Sequence, residues 1–404
     1  MITEARRWLI LAVGTAAQAA TCSFLYGIPM LVPALRGQGI GLIASGVVVS
    51  APTFGLLFTL IAWGALADRY GERIVIATGV GGATLALVAA AFVHSTVALI
   101  VLLGVAGASG ASVNAASGRV VMGWFAAHRR GLAMGVRQTA QPLGVAIAAL
   151  ALPPLARVHG PYHAMLFPAV LCALAAAATW LLVSDPPRPP RITSAGVPVP
   201  SPYRGSRTLP RLHLASAMLV FPQFTISAFT VIYLVEERGW DAATAGRFVF
   251  VLQVFGALAR VGSGVWSDRV GSRLRPMQQL AVAAAACMGL LALGALWHSW
   301  IVLAAFAAGA VITVSDNGLA YTAVAELAGG AWAGRALGTQ NTVQNVAAVI
   351  TPPLLAAVIG QGRYALAFAF AAVPPLLAIM LTPARDEPGH LAPSRARAET
   401  EAVE

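Results

Sequence analysis

The sequence predicts an all-α integral membrane protein with twelve transmembrane helices in two pseudo-symmetric six-helix bundles. Three observations carry this. Hydrophobic residues make up 58% of the chain and charged residues only 10%, against about 25% charged in soluble proteins. Charge-free stretches long enough to cross a bilayer recur along the whole chain, and the two halves repeat each other at an offset near 200 residues.

A bilayer-crossing helix needs about 20 mainly apolar residues, because backbone polar groups in lipid must be satisfied within the segment. Residues 8–35 and 37–67 contain no Asp, Glu or Arg and give spans one and two. The charge-free stretch 74–118 is too long for one span, and His94-Ser95 marks the turn of a hairpin that makes it two. Residues 131–155, 160–183, 211–235 and 242–266 give spans five to eight. The stretch 276–315 repeats the hairpin pattern with His298-Ser299 at its turn, and 335–360 and 363–383 complete twelve. Arg6-Arg7 precede the first span, which has no A-x-A-like end and reads as an anchor and not as a cleaved leader.

The net charge of +11 comes from 26 arginines and no lysine. A basic balance can signal nucleic acid, but that needs a basic face on a soluble domain, and no such domain is readable here. Eighteen arginines fall on the side that holds both termini, five on the other and three within spans. The positive-inside rule therefore predicts cytoplasmic termini in a multi-pass protein of the cytoplasmic (inner) membrane. Residues 1–183 form an N-terminal six-helix half and 211–383 a C-terminal half. Between them, 184–210 holds eight prolines and four arginines and reads as a cytoplasmic linker. Residues 384–404 read as a cytoplasmic tail. Cys22, Cys172 and Cys287 lie in apolar stretches and read as packing residues, not a disulfide framework.

The repeat is explicit. Gly64-Ala-Leu-Ala-Asp68-Arg69-Tyr-Gly71-Glu-Arg73 follows span two, and Gly264-Val-Trp-Ser-Asp268-Arg269-Val-Gly271-Ser-Arg273 follows span eight. Asn114 and Asn317 are 203 apart, as are the stretches that start at Ala133 and Ala336. Matches at four places indicate duplication and two pseudo-symmetric halves.

Charges within spans are costly and therefore point to function. Arg137 lies seven residues beyond Arg130, about 10 Å into span five. Gln138, Gln141 and Gly144 fall near its helical face. One reading makes Arg137 the ligand of an anionic substrate, because a guanidinium grips a carboxylate with two parallel bonds. The other makes it a gate residue paired with a carboxylate. Arg260, about 12 Å deep in span eight, has the same two readings, a substrate ligand or the ion-pair partner of Asp316 in span ten. A titrating Asp316 would couple transport to protons. Arg119 and Glu326 lie nearer the span ends and read as gate residues with Asp68, Arg69 and Arg335 as partners. Amides cluster on span eleven at Gln340, Asn341, Gln344 and Asn345. Span seven offers Gln223, Ser227 and Thr230, and span one offers Gln18, Thr21 and Tyr26. Single polar residues in spans are more often interhelical ties than ligands, whereas clusters at equivalent places in both halves favour a cavity lining.

The doubled G-x-x-x-D-R-x-G-x-R loop resembles the signature loop of the major facilitator superfamily, and the resemblance covers roughly residues 6–383. It implies secondary active transport by alternating access, with spans 1, 4, 7 and 10 lining the cavity and parts of 2, 5, 8 and 11 joining them. Asn114, Asn317, Gln141 and Gln344 fall on those elements. It also implies a conformational latch at Gly64, Asp68, Arg69, Gly71 and Arg73 and at Gly264, Asp268, Arg269, Gly271 and Arg273, the carboxylates capping helix ends and pairing with arginines. Glu72 stands where the family usually has a basic residue, which implies a weaker first latch. A purely topological role for the loop arginines stands beside the latch role.

The stretch Tyr26-Gly27-Ile-Pro29-Met-Leu-Val-Pro33, with Arg137-Gln138-Thr139, is similar to the branch of monocarboxylate, oxalate–formate, cyanate and nitrate porters. Leu60 stands where a nitrate porter would have its other intramembrane arginine. The expected function is transport of a small, anionic, monocarboxylate-like solute, with protons as coupling ion, by a monomer in the lipid bilayer. Arg137, Gln138, Gln141, Asn114, Asn317, Gln340, Asn341, Gln344, Arg260, Tyr26 and Gln223 are the expected substrate ligands. A proton-linked multidrug or cation exporter is the alternative, although Thr139-Ala-Gln141-Pro142-Leu-Gly144 keeps only a Pro-x-Gly of the exporter pattern. A non-transporting membrane receptor or an embedded enzyme is the third reading. No phosphate-binding loop, H-E-x-x-H, C-x-x-C or G-x-S-x-G occurs, so no enzyme, metal site or cofactor is expected.

Overall fold

The computed structural model describes residues 3–40, 42–93, 95–187, 200–204, 206–360 and 362–384. Most of the expected tail, the larger part of the 184–210 linker, and His94 of the first hairpin turn lie outside the described residues. The described chain is helical, and 12 helices are long and apolar enough to cross a membrane. They run Glu4–Leu31, Ala44–Tyr70, Glu72–Ala91, Thr96–Trp124, Ala127–His159 and His163–Leu182 in the first half. Thr208–Glu236, Thr244–Val270, Leu274–Leu296, Ile301–Ala328, Ala333–Ile359 and Tyr364–Leu381 follow in the second.

Large apolar side chains stand on the outer faces of these spans. Phe58 and Leu150 are each 80% exposed and Met380 is 77% exposed. In water such surface would drive association; in lipid it is the solvated face.

Two spans break beside proline, whose missing N–H removes one helical hydrogen bond. Span five breaks at Thr139, between helices Arg130–Gln138 and Ala140–His159, because Pro142 cannot donate to the Gln138 carbonyl. At the break the Thr139 Oγ1 donates to the Val136 carbonyl at 2.7 Å. Span twelve breaks at Ala372, ahead of Pro374 and Pro375.

The chain groups into two compact units that differ from the two sequence halves. One is Met1–Trp124, Val136–Ser206 and Val324–Ile350; the other is Phe125–Gly135, Arg207–Ala323 and Thr351–Glu404. Each unit thus holds a short piece of the opposite half. In the first unit, Ala17, Phe24, Leu56, Leu60, Val80, Leu103 and Cys172 share a buried core. In the second, Tyr233, Phe306, Tyr364 and Phe368 form an aromatic cluster with centroids 5.2–6.3 Å apart, inside a core that includes Cys287 and Met288. All three cysteines are buried and none forms a disulfide. Within the linker, Tyr203 is half-buried; burial raises its phenol above the ordinary value, against a hydrogen bond with the Thr339 side chain.

Candidate functional site: a buried arginine–amide network and two carboxylate latches

In the first unit the break at Thr139 leaves Arg137 and Gln138 on the last turn of a helix, buried at 1% and 8% exposure. The Arg137 guanidinium spreads its donors over neighbouring oxygens. Nε reaches Ser117 Oγ at 2.7 Å, Nη1 reaches Gln138 Oε1 at 3.2 Å, and Nη2 reaches the Asn114 carbonyl at 3.0 Å. The same Asn114 carbonyl accepts from Asn341 Nδ2 at 3.2 Å. Gln18 Nε2 donates to Asn114 Oδ1 at 3.1 Å. One connected network thereby joins spans one, four, five and eleven. Gln340 and Gln344 are buried on span eleven, Gln141 is half-buried one turn after Arg137, and Tyr26 is half-buried where the first helix ends.

The second unit repeats part of this. Asn317 Nδ2 donates to Gln223 Oε1 at 3.0 Å, joining spans ten and seven as Gln18 and Asn114 join one and four. Gln223, Ser227 and Thr230 also line a small cleft between spans seven, eight and ten. The symmetry stops at the charges: Gln340 occupies the place of Arg137, and Leu60 that of Arg260. Arg260 and Asp316 are both buried, at 6% and 2% exposure, and interact electrostatically. Ser263 holds their helices together. Its Oγ lies 2.7 Å from the Ser315 carbonyl and 3.1 Å from the Arg260 carbonyl.

Each unit also contains a carboxylate at a helix N-terminus, where unpaired N–H groups and the helix dipole favour negative charge. In the first unit Asp68 accepts from the Gly334 amide at 2.9 Å and the Arg335 amide at 3.1 Å, at the start of span eleven. Arg119 completes the set, with Nη1 3.0 Å from Asp68 and Nε 2.8 Å from Glu72. In the second unit Asp268 accepts from the Gly131 amide at 3.0 Å and the Leu132 amide at 2.8 Å, at the start of span five. Its arginine comes from its own loop: Arg273, 1% exposed, pairs with Asp268 and donates to Ser267 and the Ala127 carbonyl.

The motif glycines serve two separate needs. A Cβ on Gly64 would collide with the Gly334 carbonyl, and one on Gly264 with the Gly131 carbonyl, so both crossings need hydrogen. Gly71 and Gly271 have φ of 98° and 67°, which a side chain would strain. The other residues expected at the gate take varied positions. Arg69 and Arg269 are exposed, Arg69 lying over the Tyr70 ring. Arg73 donates to the Trp180 carbonyl and stacks on its ring. Arg335 stacks on Trp332, and Glu326 is half-buried near the end of span ten.

Gln18, noted on span one, and Ser117 stand outside the expected ligands. A signal for Gln18 was available: Gln18 and Gln223 are 205 apart, close to the 203 that separates Asn114 and Asn317. Ser117 had none, because Ala320 occupies its equivalent place. Among the described residues no cluster of three or more metal-ligating side chains occurs.

Known proteins agree with this architecture. Residues 9–352 match the Major Facilitator Superfamily. The chain is 44% identical over 384 residues to Rv2994 of Mycobacterium tuberculosis, an uncharacterized MFS-type transporter, covering 94% of this chain and 85% of that protein. Two solved folds are similar at low identity. The human organic anion transporter MFSD10 (TETRAN) is 17% identical with a TM-score of 0.72, over 93% of this chain and 99% of that one. The E. coli fucose:proton symporter FucP is 15% identical with a TM-score of 0.73, over 94% and 98%. Members of the matched family are transporters that take small-molecule substrates within the membrane. The twelve spans and the match over most of the chain make this protein a multi-pass membrane transporter of the major facilitator superfamily.

Proposed function

We propose that the protein carries a small organic anion of the monocarboxylate type across the cytoplasmic membrane, together with a proton, by alternating access. The observation that carries the reading is Arg137. It is a buried guanidinium inside an amide network drawn from spans one, four, five and eleven. A carboxylate could exchange for the neutral oxygens that now accept from Arg137 and gain charge-assisted bonds in return. Gln138, Gln141, Gln340, Asn341 and Gln344 would then supply the remaining polar contacts.

Asp316 supports the coupling. It is a buried carboxylate in span ten that faces Arg260, so a proton taken up there shifts the charge balance of the second unit. The energetics favour such coupling for an imported anion: one negative charge entering against 100 mV, negative inside, costs about 2.3 kcal/mol, and a co-transported proton cancels it. Asp68 and Asp268 act in this reading as the latches that hold one access state.

The arginine distribution supports cytoplasmic termini and places the latches on the cytoplasmic side. Residues 1–183 and 211–383 act as the two moving halves, joined by 184–210 and followed by the 384–404 tail, in a monomer. Uptake into proteoliposomes under an imposed pH gradient tests the proposal, against carboxylates, small inorganic anions and lipophilic cations. Saturable carboxylate uptake driven by the gradient is expected. Transport of lipophilic cations alone would move the protein to the exporter reading.

A further inference from the structure

Glu72 opens the third span directly after the Gly71 turn, and none of it reaches solvent. Neither of its side-chain oxygens receives a hydrogen bond from a described N–H or hydroxyl. Arg119 Nε stands 2.8 Å from Oε1, near enough to attract it but out of line for a hydrogen bond. A buried carboxylate lacking donors is costly. The other acid beside it is Asp185, held against the backbone of the next residue, Arg73, and acting on Glu72 by charge repulsion. Asp185 is itself fixed in place, its Oδ1 accepting from the Arg73 backbone N–H at 2.7 Å. A buried carboxylate with no donor and a second acid nearby is stabilised by taking up a proton.

We infer that Glu72, beside Asp185, forms a proton-binding site at the arginine-rich end of the first unit, linked through Arg119 to the Asp68 latch. The inference is independent of which solute moves and of Asp316. With the proton in place the pair carries one negative charge, and Arg119 can serve both it and Asp68. Loss of the proton to water leaves two adjacent carboxylates, which draw Arg119 toward them and away from Asp68. Asp68 then keeps only the Arg335 charge as counterion, and its hold on the Gly334 and Arg335 amides weakens.

The charged groups acting on Glu72 are Arg119 of span four and Asp185 beyond span six. Asp68 of span two reaches it through Arg119, and the Arg73 guanidinium is turned onto Trp180. Span one, also packed against span three, adds none to these. The second latch lacks the device. Ser272 stands in the place of Glu72, and Asp268 takes its arginine from its own loop. The Gly131 and Leu132 amides are therefore an internal control for Gly334 and Arg335.

Two measurements on the full-length protein in lipid nanodiscs test the site. Amide hydrogen exchange is followed from acidic to alkaline pH and corrected for the chemical exchange rate. Protection at Gly334 and Arg335 should be lost as pH rises while protection at Gly131 and Leu132 holds, and Glu72→Gln should abolish the difference. Infrared spectra of Asp316→Asn should keep a protonated-carboxyl band at neutral pH that adding Glu72→Gln removes. Equal pH dependence at both latches, or a band that survives Glu72→Gln, overturns the proposal. Should Glu72→Gln fail to reconstitute, Asp185→Asn, at a half-buried position just beyond span six, gives the same test. Loss of the band there supports the site, and its persistence overturns it.

Discussion

Arg137 Nε donates to Ser117 Oγ at 2.7 Å, which ties span five to span four at the point where the Gln18–Asn114 pair also meets span four. Ser117 is 2% exposed, so water is poorly placed to replace its hydroxyl. A hydrogen bond to a charged group is worth about 1.5–3 kcal/mol. Ser117→Ala should therefore weaken apparent substrate affinity by about tenfold while leaving maximal rate largely intact. Concentration-dependent uptake reads the two separately, and an unchanged KM would detach Ser117 from Arg137 positioning.

The pairs Gln18–Asn114 and Gln223–Asn317 predict matched energetics in the two halves. Double-mutant cycles to Ala should give coupling of about 0.5–1.5 kcal/mol in each pair, measured by thermal unfolding in detergent. Coupling in one pair and none in the other would show that the repeated geometry carries no repeated energy.

Arg260 and Asp316 should reveal their mutual dependence when neutralised singly. Breaking a buried pair leaves an uncompensated charge and costs about 3–5 kcal/mol. Arg260→Gln and Asp316→Asn should each lower the unfolding temperature, and the double variant should recover most of the loss. In transport, Asp316→Asn should remove stimulation by the pH gradient. Full gradient dependence in that variant would exclude Asp316 as the coupling residue.

The glycine crossings predict a steric test of the latches. Gly64→Ala and Gly264→Ala each place a methyl against a carbonyl of the facing helix, at a cost of about 1–3 kcal/mol for overpacking. Amide exchange should rise at Gly334 and Arg335 in the first variant and at Gly131 and Leu132 in the second. Exchange that rises at the opposite latch, or at neither, would contradict the assigned contacts.

Much of the fold was legible because a bilayer converts composition into architecture. The charge-free stretches predicted twelve spans, and the structure has twelve, with the two long stretches dividing into hairpins. The break at Thr139 was less legible, since a single proline does not say whether the helix kinks or stops. The two-unit grouping was not legible at all. It arises because the starts of spans five and eleven pack on residues of the opposite half, through glycines and backbone amides that carry no hydropathy signal. At the site, intramembrane charge flagged Arg137, Arg260 and Asp316. Ser117 carried no signal, and Gln18, noted on span one, stayed outside the expected ligands because one polar side chain in a span resembles any interhelical tie. Glu72 departs from the motif; only its distance to Arg119 shows that the departure brings a second carboxylate to the arginine that pairs with Asp68.

The most direct test is uptake of a radiolabelled monocarboxylate by proteoliposomes holding wild type, Arg137→Lys or Arg137→Ala, with reconstitution checked by protein content. The account predicts saturable, gradient-driven uptake in wild type and loss of uptake in Arg137→Ala. Arg137→Lys, which keeps the charge but not the planar fork, should retain reduced uptake at a raised KM. Wild-type uptake by Arg137→Ala would contradict it.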